Sequence, residues 1–155
     1  MGELQQPIFH MPSLHVLLFS LSRLGLAAAL GAIMGYQRES VHSTAGLRTH
    51  ILVCLGAAFF VLASVEAGQT SADVSRVIQG IVAGIGFLGA GTILKVGDRL
   101  EVHGLTTAAS VWLTAAIGTG AGLGHIWLPT VGAVIGWIVL GPIGRIEKGP
   151  PAKKG

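Results

Sequence analysis

Residues able to hold or move charge gather in two short stretches of an otherwise apolar chain. The first holds Arg38, Glu39, Arg48, Thr49 and His50; the second holds Lys95, Arg99, Glu101, His103, Thr106 and Thr107. Each runs into a long apolar segment, so each is expected to present a helix N-terminus. Such ends carry unpaired backbone N–H groups and the positive pole of the helix dipole. Joined to arginine and threonine, they can hold an anion or an acidic segment of a partner. Basic loops flanking membrane helices, with Ser and Thr as caps, have the same composition. The residues alone leave both descriptions open.

Arg23 is the one charge well inside an apolar run. It either snorkels outward along its stem or faces the protein interior, where Glu66 and Asp73 are candidate partners. No Asp or Glu falls within the apolar runs themselves. Hard divalent cations are held by oxygen ligands, usually with a carboxylate among them, and proton-coupled carriers need a titratable acid in the membrane. Both absences count against a transporter with an acidic midplane site, though not against a path lined by carbonyls. The six histidines show no metal spacing, so no metal or cofactor site is expected. No nucleophile–base pair is apparent, and catalysis is not expected. Gly84-Ile85-Gly86-Phe87-Leu88-Gly89 matches a dinucleotide fingerprint in letters only, because it lies inside an apolar run without a strand–turn–helix frame.

The elements that position these residues follow from composition. The 155 residues are 51% hydrophobic and only 11% charged, against about a quarter charged in a soluble domain. A chain this short cannot bury that much apolar surface in water, so the lipid bilayer is the expected solvent. Five runs approach the roughly 20 residues a spanning helix needs: 14–36, 47–65, 77–94, 105–123 and 126–143. None alternates as a barrel strand would. The expected fold is an all-α polytopic bundle over 14–146, preceded by an extracytoplasmic segment (1–13) and followed by a basic cytoplasmic tail (147–155). Lys and Arg concentrate beside one set of span ends, which places the loops after the first and third spans and the C-terminus in the cytoplasm, and the N-terminus outside. The net charge of +3 thus reads as membrane orientation rather than nucleic-acid binding.

Glycine is abundant, with 24 residues. Gly31-xxx-Gly35, Gly80-xxx-Gly84 and Gly132-xxx-Gly136 are small faces on which helices can approach closely. The third run is the densest, and this predicts that it lies at the bundle centre, with Gly84, Gly86, Gly89 and Gly91 packing against neighbours or baring carbonyls along a path. Gly46-Leu47-Arg48-Thr49 and Gly104-Leu105-Thr106-Thr107 form a faint repeat, suggesting two hairpins in one orientation.

Several ordered blocks resemble the MgtC/SapB family. They are Gly31-x-x-x-Gly35-x-Gln37-Arg38-Glu39, Ala45-Gly46-Leu47-Arg48-Thr49-His50, Arg76 to Gly91, and Gly104-Leu105-Thr106-Thr107-Ala108-Ala109. The resemblance implies a bacterial inner-membrane protein linked to growth in low magnesium and to survival of pathogens in macrophages. It implies regulation through membrane potential and partners such as the F-type ATP synthase, rather than proven magnesium transport, and a homo-oligomer or a membrane protein partner. The positions it marks are Arg38, Arg48, Thr49, Gly86, Gly89, Gly91 and Thr107. Gln37 stands where the family usually has Glu, and longer members carry a cytoplasmic domain after the last span.

Overall fold

The computed structural model describes residues 12–95 and 102–143. Five helices follow in order: α1 (Leu14–Ser40), α2 (Leu47–Glu66), α3 (Ser71–Gly91), α4 (Leu105–Gly122) and α5 (Trp127–Ile138), the last continuing into a π-helical turn at Val139–Ile143. A two-residue antiparallel ladder pairs β1 (Leu94–Lys95) with β2 (Val102–His103) just before α4. Helices α1, α2 and α3 are long and apolar enough to cross a membrane, whereas the α5 segment is shorter. Large apolar side chains such as Leu52, Phe60, Phe87 and Trp127 face outward, as a lipid-facing surface requires. The architecture is the expected all-α, membrane-type bundle.

Two helix boundaries differ from expectation in ways that matter. Helix α1 runs to Ser40 rather than stopping at 36, so Gln37, Arg38 and Glu39 form its last turn instead of a loop. Helix α3 starts at Ser71 rather than 77. Thr70 caps it, with Oγ1 accepting the Asp73 N–H at 3.3 Å and donating to the Asp73 carboxylate at 2.6 Å. A hydroxyl three residues before an acid is a helix start, and it overrides the loop reading of the Gly68–Asp73 region. Glu39, Glu66 and Asp73 therefore lie in terminal helical turns.

The bundle centre also differs. Helix α4, not α3, is central: it packs on α1, α2, α3 and α5. The reason lies in which glycines meet a neighbour. A Cβ at Gly122 would stand 2.6 Å from the Ala58 carbonyl oxygen, and one at Gly118 would overlap the Cys54 carbonyl. Only glycine lets α4 lie this close to the α2 backbone. Gly31 and Gly35 do the same for α1 on α2, where a Cβ at Gly35 would be 2.7 Å from the Leu47 Cα. Gly136 brings α5 onto Leu113 and Met34. By contrast, a Cβ at Gly80, Gly84, Gly86 or Gly91 would meet nothing within 4 Å among the described residues. Shielded from lipid, α4 can carry four threonines and a serine in its 18 residues.

Successive helices are antiparallel, so α2 and α4 run parallel: His50 lies opposite Ser110, Cys54 opposite Gly118 and Ala58 opposite Gly122. The faint repeat coincides with this arrangement. Gly46 and Gly104 are the N-caps of α2 and α4, and neither has a side-chain capping bond. Gly104 has φ +99°, and a Cβ there would overlap the Thr92 carbonyl, so the sharp entry from β2 into α4 requires glycine. Both helix N-termini and the last turn of α1 thus share one end of the bundle.

Candidate functional site

At that end a connected polar cluster penetrates the core. Arg38, only 8% exposed, turns inward from the last turn of α1. Its Nη2 donates to Ser43 Oγ at 2.9 Å and to Thr107 Oγ1, in the first turn of α4, at 3.0 Å. Ser43 Oγ and Thr107 Oγ1 bond each other at 2.9 Å. Deeper, the Ser110 hydroxyl donates to the Thr107 carbonyl at 2.8 Å and lies 3.2 Å from His50 Nε2. His50 is fully buried, and its Nδ1–H donates to the Gly46 carbonyl at 2.9 Å, which fixes the tautomer. Nε2 of the neutral ring is then an acceptor, so the one Ser110 proton has two acceptors within reach. Thr114 Oγ1 ends the series by donating to the Ser110 carbonyl at 2.8 Å.

Charge in this cluster is uncompensated. Glu39 is next to Arg38 in sequence, but its carboxylate accepts the Leu47 N–H at 2.9 Å and so caps α2. Among the described residues the one ion pair is Arg76–Asp73, at the far end. A buried guanidinium therefore sits against the positive end of α4 with hydroxyls but no carboxylate bonded to it.

The sequence-predicted residues divide accordingly. Arg38, His50 and Thr107 come together in the cluster, with Glu39 beside it as the α2 cap. Arg48, Thr49 and Thr106 lie exposed at the same end, and Arg99 falls outside the described residues. Of the α3 glycines, Gly89 is buried, where a Cβ would make ordinary contact with Ala108 at 3.6 Å. Gly84 lines an apolar groove of about 310 Å³ between α2 and α3, and Gly86 and Gly91 face open space.

Arg23 pairs with neither Glu66 nor Asp73. Its Nη1 donates to the Gly122 carbonyl at 3.4 Å, placing its charge at the negative end of α4. Glu66 accepts from Ser20 instead, and Asp73 holds Arg76 at 2.6 Å. The carboxylates follow their nearer donors, and Arg23 follows the helix end.

Sequence reasoning missed Ser43, Ser110, Thr114 and the Gly118/Gly122 contact. Three of these carried a signal. Thr107, Ser110 and Thr114 are spaced i, i+3, i+7, a polar stripe on one face of an apolar helix, and Gly118-xxx-Gly122 is a small-residue pair. Ser43 carried none, because it reaches the cluster through the turn after α1.

Sequence comparison with known proteins finds relatives. The model of the MgtC family matches residues 24–148. Protein SrpB of Synechococcus elongatus is 39% identical over 137 residues, covering 81% of this chain and 75% of that protein. Protein MgtC of Brucella abortus is 42% identical over 133 residues, 83% of this chain and 54% of its own length. Protein MgtC of Salmonella typhimurium is 48% identical over 99 residues, 64% of this chain and 41% of its own length. The chain thus spans about half of the MgtC proteins it matches. No solved structure matches it.

Proposed function

The chain belongs to the MgtC family, and from that premise we propose that it is a regulator or adaptor of the bacterial inner membrane. On this reading it is a multi-pass protein, with its N-terminus outside and its C-terminus in the cytoplasm. It is linked to magnesium homeostasis, membrane potential and virulence-type stress adaptation. It acts through its Arg38–Thr107 end on a membrane protein partner, the F-type ATP synthase among the candidates, and it catalyses no reaction.

The observation that supports the reading is where the connected polar series stops. The hydrogen-bonded series from Arg38 ends at Thr114. Beyond it α2 and α4 are in backbone contact at Cys54/Gly118 and Ala58/Gly122. Space this tight leaves no room for a hydrated ion between them. A polar end closed from behind suits recognition better than conduction.

Growth in low magnesium tests it, in a bacterium whose own family gene is deleted. The full-length chain is expected to restore growth, and Arg38→Gln is expected to lose that rescue at equal membrane abundance. Gly86→Leu is expected to keep it. Rescue by Arg38→Gln together with failure of Gly86→Leu reverses the assignment. One observation favours a second reading, a small oligomeric transporter or channel subunit for Mg2+ or a monovalent cation. Gly80, Gly84 and Gly91 share one face of α3 and Gly86 lies on another; a Cβ at any of them would meet no described residue within 4 Å, and a second copy packed on α3 could complete a path there.

A further inference from the structure

At Arg38 the cluster has donors to spare and lacks an acceptor. Arg38 Nε is buried and has no hydrogen-bond partner. Its Nη2 is spent on Ser43 and Thr107, whose hydroxyls each accept one bond. Those hydroxyls share one further bond, which uses one of their two protons. The other proton has no acceptor among the described residues. Thr107 lies in the first turn of α4, which contains no acidic residue and whose cap lends no side chain. Backbone N–H groups of that turn are unpaired within the helix. The one spare acceptor of the cluster, His50 Nε2, lies deeper beside Ser110; around Arg38, Ser43 and the first turn of α4 the loose ends are donors, and the local charge is positive twice over, from a guanidinium and a helix N-terminus. Leaving a buried charge-bearing donor unsatisfied is among the more expensive things a folded chain can do.

We propose that Arg38, Ser43, Thr107 and the N-terminus of α4 together bind a phosphate-class oxyanion. Several acceptor oxygens on one centre suit a guanidinium edge, a hydroxyl and backbone N–H groups converging from different directions. Ser43 is half-buried in the turn after α1 and is the most accessible of the three side chains. The ligand is either a free phosphate or the phosphate of a lipid headgroup. The inference rests on the reading that this end of the bundle is its working face, and it adds the chemistry that the face recognises.

The test is thermal unfolding of the purified full-length chain in uncharged detergent. The probes are inorganic phosphate and phosphatidylglycerol, with diacylglycerol as an uncharged lipid control and a polyglutamate peptide as a carboxylate control. Phosphate or phosphatidylglycerol is expected to raise the midpoint in a saturable manner. Protection by both identifies a free oxyanion site, and protection by phosphatidylglycerol alone identifies a lipid headgroup site. Ser43→Ala and Thr107→Val, which keep the Arg38 charge and change little volume, are each expected to weaken the apparent affinity at least tenfold. Arg76→Gln, at the opposite end, is expected to leave it unchanged. The proposal is overturned if neither probe protects the wild-type chain, if diacylglycerol or polyglutamate protects as well, or if the Ser43 and Thr107 variants respond as the wild type does. These titrations read binding alone. A null result here leaves rescue of growth standing, and a failed rescue leaves the binding result standing.

Discussion

At the scale of single residues, the polar groups in this bundle answer specific backbone deficits. Gln37 is the clearest. Pro142 lies in the π-helical turn after α5 and has no N–H to give the carbonyl five residues back, that of Trp137. Gln37 Nε2 reaches across from α1 and donates to that carbonyl at 3.0 Å. Replacing Gln37 by Leu is expected to destabilise the bundle by about 1–2 kcal/mol, the cost of leaving a carbonyl on the apolar outer surface without its donor. An ionised Glu has no proton to donate, so Gln37→Glu is expected to lose the same contact. Unfolding in mixed micelles with a graded fraction of denaturing detergent measures both. Thr107→Val removes one acceptor of Arg38 and is expected to cost a similar 1–3 kcal/mol, since its partner is charged.

At the scale of elements, the glycines of α3 and those of α1 and α4 have different work to do. Gly35→Leu would drive a side chain into the α2 backbone at Leu47 and is expected to destabilise by at least ~3 kcal/mol or to prevent folding. A Cβ at Gly84 meets no described residue and the groove between α2 and α3 has room for the rest of the side chain, so the single-chain bundle is expected to tolerate Gly84→Leu. The same detergent unfolding series compares them. Thr70→Ala, which deletes the α3 cap, is expected to cost about 1 kcal/mol. These contrasts also show what was legible in the sequence. The five apolar runs gave the helices, because hydrophobic length is a property of the chain itself. The small-residue pairs Gly31/Gly35 and Gly132/Gly136 gave real contacts. Glycine density gave the wrong centre, because a glycine shows where a helix can be approached and not whether anything approaches. Arg38 was legible as chemistry but not as a buried residue, because that depended on α1 continuing one turn past Tyr36.

At the scale of the whole molecule, five antiparallel helices put the two described ends of the bundle on opposite faces. The Arg38 cluster, the exposed Arg48 and the N-termini of α2 and α4 share one face; Arg76, Asp73 and the C-terminal end of α4 share the other. On the proposed reading, the basic bias puts the Arg38 face in the cytoplasm. In a Cys54→Ala background, Ser40→Cys is expected to react with a membrane-impermeant maleimide only after cell lysis. Gln69→Cys is expected to react in intact cells with a permeabilised outer membrane. The opposite pattern would invert the bundle and put the proposed oxyanion site outside the cell.

Whether ions cross this bundle separates the two functional readings most directly. The measurement is magnesium and monovalent-cation flux in proteoliposomes holding the full-length chain, beside a known channel as control. We expect no flux from the chain where the control conducts, because α2 and α4 close on each other past Thr114. Flux through the wild-type chain that disappears in Gly86→Leu, with folding and insertion intact, contradicts the regulator and makes α3 the wall of a path.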